Sequence, residues 1–342
     1  MKASELAARA GLPYEGDGDV EVFRVRGLDH AGPQDLSFIN DATLVKTALQ
    51  RPVRVLVAPP DLDLPGKTVL RSPHPRLALT TITPLLHPRV TTPPGIDPRA
   101  VVGPDCQVDS SAIIHPLAVL EAQAVVGPRS EIMPGVFLGR GVTVGADCLI
   151  YPNVTIGWGC QIGQRVIIHA GSVIGSDGFG FVLHQGRHIK VPHVGRVVLE
   201  DDVEIGANNS IDRAVYDETR IGQGSKTDNL CHIAHNVEIG PHALLLGQTG
   251  IAGSTKAGAY LIMAGQSGIT DHLHIPERVT VGTKSLLTRP GRSGEIYYGY
   301  PARPVKEWQQ SVALFNTLDK LAHKVKTLWR QRPEASNKAE EE

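Results

Sequence analysis

From Ile96 onward an aliphatic residue returns every six positions: Val102, Val108, Ile114, Leu120, Val126, Ile132, Leu138, Val144, Ile150, Ile156, Ile162, Ile168 and Ile174. Fourteen hexads pass without a slip. A period of six belongs to neither an α-helix nor a lone alternating strand. It is the repeat of a parallel β-helix, in which each hexad supplies one short strand and one turn. Three hexads then close a triangular coil of 18 residues, with the aliphatic inside and a small residue, four positions later, also turned inward. The phase breaks after Ile174, resumes at Leu199, Ile205 and Ile211, and breaks again around AVYDE. It then runs in step from Ile221 to Leu287, weakening only at Thr227 and Ala257. The first interruption, SDGFGFVLHQGRHIKVPHVGRVV at 176–198, is too long for a turn. Two readings stand for it: a lid or cleft wall, and a loop between subunits.

Outside the repeat the pattern changes. SELAARAGL reads as a short helix capped by Ser4, VEVFRVRGL, VRVLVAP and KTVLRS read as strands, and PRLALTTITPLL reads as a second helix. Residues 1–95 are therefore expected to form a small α/β domain, ended by the Pro-rich HPRVTTPPGIDP. Residues 96–290 form the β-helix, with its excursion at 176–198. Residues 291–331 are an extended segment and then one helix, where Trp308, Val312, Phe315, Leu318, Leu321, Val325 and Leu328 recur at helical spacing. The opposite face carries Lys320, His323, Lys324, Lys326, Arg330 and Arg332, a basic surface able to meet an acidic protein. The polar tail 332–342 is expected to be disordered.

Composition agrees with this architecture and narrows the chemistry. Among 342 residues, 36 Gly and 25 Pro with only 5% aromatics suit short strands and tight turns. A formal charge of −1 argues against a global nucleic-acid or membrane-surface binder. Cys106, Cys148, Cys160 and Cys231 all take the fifth hexad position and form no CxxC pair, so they read as core residues rather than catalysts. The N-terminus lacks an apolar core of signal-peptide length, and no apolar run approaches membrane-spanning length. A cytoplasmic protein is expected.

The 18-residue coil gives meaning to the histidines of TDNLCHIAHNVEIG (227–240). His235, Gly253 and the pair Asp271-His272 lie 18 apart, so they stack in one column over roughly 10 Å. Asp228 falls at the adjacent corner. Histidine titrates near neutrality and takes a proton from an attacking amine or hydroxyl. An unshielded glycine N–H donates to a developing oxyanion. The column thus points to acyl transfer by direct attack, since no Ser or Cys nucleophile stands out beside His235. Two rivals remain beside it: a metal site drawn from His232, His235 and His242, as in a zinc-type hydratase, and a scaffold with no chemistry.

The runs VIGSDGFGF, VPHVGRVVLEDDVEIGANNSIDRA and DETRIGQGSKTDNLCHIAHNVEIG resemble the UDP-3-O-acylglucosamine N-acyltransferase family of lipid A biosynthesis, over nearly the whole chain. The resemblance implies a left-handed β-helix that forms a homotrimer, behind a uridine-binding α/β domain and ahead of a C-terminal helix. It implies transfer of a 3-hydroxyacyl chain from acyl carrier protein to the 2-amino group of UDP-3-O-acylglucosamine. It also implies no metal or nucleotide cofactor beyond the carrier's phosphopantetheine. His235 falls on the family's base, Gly253 on its oxyanion donor and His272 on a second functional histidine. Asp228, with Asn236 of the IAHN run, falls on the residues that hold the sugar. Arg289 matches an arginine near the carrier arm, and Leu286 lies near the end of the acyl groove. In the uracil motif, SFINDATL keeps Phe38, offers Asp41 where the family has Asn and Leu44 where it has Tyr, and carries Asn40 one residue earlier. A related enzyme acting on another nucleotide amino-sugar is the alternative.

Overall fold

Each hexad forms a two-residue strand whose second residue is the aliphatic one, and the strands stack into three parallel sheets. The structure is a computed structural model that describes residues 1–90 and 92–330. The tail at 332–342 lies outside the described residues. The first face runs from Val101–Val102 up to Leu286–Leu287, the second from Gln107–Val108 to His274–Ile275, and the third from Gly95–Ile96 upward. Register advances by one coil, as in Val119 against Phe137 and Leu120 against Leu138. The fold is a left-handed parallel β-helix. Its interior is one continuous aliphatic column that includes Cys148, Cys160 and Cys231. Thr227, where the aliphatic phase weakens, still points inward and accepts hydrogen bonds from Gly206 N and Asn209 Nδ2, each at 3.1 Å.

The turns are less glycine-rich than their geometry would suggest. Asp147, Arg165, Leu230, Asn236, Ser254 and Tyr260 all hold φ near +60°. A left-handed non-glycine residue costs about 1–2 kcal/mol. The offset is visible in the backbone: Asp147 N–H donates to Pro128 O at 2.9 Å and Ser254 N–H to His235 O at 3.0 Å, bonds from one coil to the one below. One corner adds an ionic ladder in which Arg129 grips Asp147 and Arg165 grips Asp202. At the top, Ile296–Tyr298 pairs with the third face and Arg303–Pro304 folds back on it, which covers the open sheet edge. Two helices follow, Val305–Phe315 and Leu318–Arg330, where the spacing suggested one. The break falls at Asn316 and Thr317, whose amides reach back to Val312 and Leu314.

The first unit ends at Thr92 and the second begins at Pro93. In the first, strands β1 (Tyr14–Glu15), β2 (Arg24–Val25), β3 (Asp35–Phe38), β4 (Val55–Ala58) and β5 (Thr68–Arg71) form one sheet in the order β1-β5-β4-β3-β2, parallel except for β1. Helix Ala3–Ala10 starts before Ser4, with Lys2 at the cap position. No side-chain cap is needed, because Ala3 and Ser4 N–H donate to Val20 and Gly18 carbonyls. The run VEVFRVRGL contributes only β2, and DLSF supplies the strand beside it. Asp35 is buried in that strand because Arg24 Nε reaches its carboxylate at 2.8 Å.

Candidate active site

Both breaks in the six-residue phase occur at one corner of the prism, between the first and second faces. The chain leaves the first face at Val173–Asp177 and rejoins the second at Arg196–Leu199; one coil higher it does the same between Ser210–Arg213 and Glu218–Ile221. Directly above on this corner come His235 and Asn236, then Gly253 and Ser254, then Asp271 and His272. Within the excursion, Phe181–His184 and Arg187–Lys190 form an exposed antiparallel hairpin.

The half-buried His235 ring has a defined tautomer. Asn236 Oδ1 accepts the Val215 N–H at 3.0 Å, so it faces His235 Nδ1, 3.2 Å away, as an acceptor. His235 Nδ1 must then carry the proton, which leaves Nε2 with a free lone pair. That nitrogen lies over Gly253, where a Cβ would come 2.8 Å from both Nε2 and Cε1. Only a residue without a side chain leaves the ring room. The Gly253 N–H has no acceptor among the described residues, so an unspent donor belongs to the residue that the His235 ring covers.

Behind His235 stands a layer that sequence reading missed. His193 is 4% exposed, and its Nδ1 donates to Val191 O at 2.9 Å. Its ring meets that of His235 edge to face at 5.4 Å. Asp212 is buried, accepts the Ser176 hydroxyl at 3.0 Å and lies 3.7 Å from His232 Nε2. Burial pushes its carboxyl above the usual range, against the pull of His232, Ser176, His235 and His193. The buried Arg213 donates to the carbonyls of Gly175, Gly195 and Trp158 at 2.8, 3.1 and 3.2 Å, so one guanidinium ties both ends of the excursion to the corner. The signal for this layer was the pair of interruptions, since each inserts polar residues at the corner of His235.

The other candidates are spread along the fold. His272 sits one coil above Gly253 and donates its N–H to Gly253 O at 3.0 Å, with its side chain exposed. Asp228 belongs to the corner between the third and first faces, where its carboxylate accepts Gly247 N–H at 3.0 Å. Leu286 ends the first face and Arg289 follows it, lining a cavity of about 300 Å³ with Tyr297 and Glu295. Phe38 and Asn40 lie at the carboxyl end of β3, where parallel sheets bind ligands. Asp41 is engaged in capping a 3₁₀ turn, accepting Thr43 N–H at 2.9 Å, whereas the Asn40 amide is free among the described residues. The three histidines of the metal reading do not converge: His232 faces outward from the first face, and His242 stacks on Tyr260 at the opposite corner. Among the described residues no group of three or more His, Cys, Asp or Glu is arranged around a metal position.

A cleft of about 940 Å³ opens on the second face beside Asn236 and Ser254, with Trp158 and Tyr216 in its walls. Its basic residues are already paired. Arg220 Nη1 meets Glu200 at 2.7 Å and Lys256 meets Glu238 at 2.6 Å.

A family model for bacterial transferase hexapeptide (six repeats) matches residues 141–176. The chain is similar to a UDP-3-O-acylglucosamine N-acyltransferase of Anaeromyxobacter sp. (strain Fw109-5), 44% identical over 330 residues and covering 94% of each chain. It is also similar to one from Methylobacillus flagellatus, 40% identical over 329 residues, covering 96% of this chain and 94% of that one. A solved UDP-N-acetylglucosamine acyltransferase from Arabidopsis is 18% identical, with a TM-score of 0.49, covering 72% of this chain and 86% of that one.

Proposed function

The chain belongs to the UDP-3-O-acylglucosamine N-acyltransferase family and is an acyltransferase, and from that premise we propose that it moves a 3-hydroxyacyl chain from acyl carrier protein to the 2-amino group of UDP-3-O-acylglucosamine, with His235 as general base. The observation that carries this reading is the His235 Nε2 lone pair, fixed by Asn236 and aimed at the open position over Gly253.

The substrate amine attacks the thioester carbonyl, and the new C–N bond forms as His235 Nε2 takes a proton from nitrogen. Oxygen becomes negative in the tetrahedral intermediate and receives the Gly253 N–H. The C–S bond then breaks, and the pantetheine sulfur leaves with the proton held on His235. Cys231, the nearest cysteine along the chain, is 2% exposed in the coil interior, which favours direct transfer over a cysteine acyl-enzyme. The chemistry needs no metal or nucleotide cofactor; phosphopantetheine arrives with the carrier.

Room for the acyl chain lies on the first face. There His232, Gly250, Gly268 and Leu286 occupy successive outward positions in register. A Cβ on Gly250 would touch nothing within 4 Å, and one on Gly268 would meet Leu286 Cδ1 at 3.1 Å. The two glycines open a lane that Leu286 closes. Phe38 and Asn40 are assigned to the uracil, Asp228 and His272 to the sugar and phosphates, and Arg289 with the basic C-terminal helix to the acidic carrier. A homotrimer in the cytoplasm completes the proposal; no helix among the described residues is long and apolar enough to cross a membrane. A second reading, another nucleotide amino-sugar as acceptor, draws on the engagement of Asp41 with Thr43.

Mass spectrometry of the purified protein with 3-hydroxyacyl carrier protein and UDP-3-O-acylglucosamine tests this. An amide-linked diacyl product is expected. Turnover of a different amino-sugar and none of this one would move the assignment to the second reading.

A further inference from the structure

The excursion does more than wall the corner. A Cβ on Gly178 would lie 2.8 Å from His193 Nε2 and 2.9 Å from both Cβ and Cδ2 of His235, and one on Gly180 would lie 2.7 Å from His193 Cε1. The DGFG glycines are therefore pressed against the back of the base, and His193 fills the space beneath them. With Nδ1–H spent on Val191, His193 Nε2 is buried and has no partner. Behind these rings lies Asp212, 5% exposed, with Ser176 on one oxygen.

The charged and titratable groups around Asp212 are well defined. His232 stands 3.7 Å away on the solvent side, and His193 and His235 are close enough to pull on its titration. The neighbouring acid, Asp177, is taken by Lys190 at 2.9 Å and lies 4.0 Å from Arg213. Arg213 itself spends its donors on three carbonyls. Among the described residues Asp212 thus has no Arg or Lys partner, and the cations that face it are histidines when these are protonated. A buried acid without such a partner costs stability and calls for a use.

We propose that Asp212 is the counter-charge for the imidazolium that His235 becomes during turnover, a positioning residue that acts through the base while His193 and Gly178 keep water from between them. The inference rests on His235 being the base. When His235 takes the amine proton it gains a positive charge, and the Asp212 carboxylate stabilises that charge across a dry layer, where attraction is stronger than in water. The proton stays on His235 until the sulfur leaves with it; Asp212 keeps its charge throughout.

The test is the pH dependence of kcat/KM for Asp212→Asn in the full chain, with 3-hydroxyacyl carrier protein and UDP-3-O-acylglucosamine. Asn is nearly isosteric and still accepts from Ser176. The acid limb, which reports the base in the free enzyme, should move to lower pH by about one unit, and the plateau should fall. Ser176→Ala, which leaves the carboxylate less well held, should move the limb the same way by less. An unmoved limb in Asp212→Asn overturns the proposal. So does an equal displacement in His232→Gln, because the acid would then serve His232 instead. If Asp212→Asn does not fold, the limb in Ser176→Ala decides: a shift to lower pH supports the proposal and an unmoved limb overturns it. His235→Ala run alongside separates the two failures, since retained activity there removes the base itself.

Discussion

The first face of the prism carries two different surfaces on one backbone. Below the excursion its outward positions are Val101, Val119, Phe137, Thr155 and Val173; above it they are Ser210, His232, Gly250, Gly268 and Leu286. Pairing is parallel in both regions, with one register shift between Ile174 and Ser176 at the excursion, and the inward residues from Leu120 to Leu287 are buried aliphatics. The regions differ only in what they present outward. Side chains fill the lower half, whereas the upper half is emptied by glycine and bordered by histidine. The inward hexad residues maintain the coil, and the outward ones are free to build a site.

Mutations that move one region toward the other sharpen this contrast. Among these substitutions the largest loss is expected for Gly253→Ala, because the new methyl takes the space of the His235 ring. Displacing the proposed base should cost about 10²-fold in kcat, with the melting temperature nearly unchanged. Gly250→Val or Gly268→Val would give the upper face the volume of the lower. The best donor should become a shorter acyl chain, with kcat/KM for the original donor down by roughly 10-fold or more, read in a chain-length series. Leu286→Ala should do the reverse and admit a longer chain. On the lower face, Phe137→Ala should leave activity unchanged and cost about 1–3 kcal/mol in a denaturant melt. The smallest effect belongs to the exposed ionic ladder. Arg129 holds the Asp147 carboxyl below its ordinary value by direct hydrogen bonds. Its support is therefore present above the unfolded value of about 3.9 and fades as pH falls through the lower folded one. Arg129→Met should melt slightly earlier than the parent at neutral pH and together with it in strong acid.

Most of the fold could be read in the sequence because one physical rule repeats. Every sixth residue faces a dry interior, so the aliphatic phase marks each strand, and an 18-residue coil stacks His235 on Gly253 without further information. Where contacts are not periodic, the reading failed. His193 and Asp212 approach His235 from separate interruptions, and no spacing rule links positions 193, 212 and 235. At the turns no spacing rule showed that Leu230 and Tyr260 hold positive φ, which bonds between coils support. The helix start at Ala3 was missed for a similar reason, as distant carbonyls at Gly18 and Val20 replace the cap.

The proposed chemistry depends on one atom, His235 Nε2. The most direct measurement is the rate of amide product formation by His235→Ala beside the parent, on samples matched for folding by circular dichroism and melting temperature. A fall of about 10²–10⁴-fold with the fold intact is the expected result. Near-normal turnover by the folded variant would contradict this, because the atoms nearest the open position over Gly253 among the described residues all belong to His235.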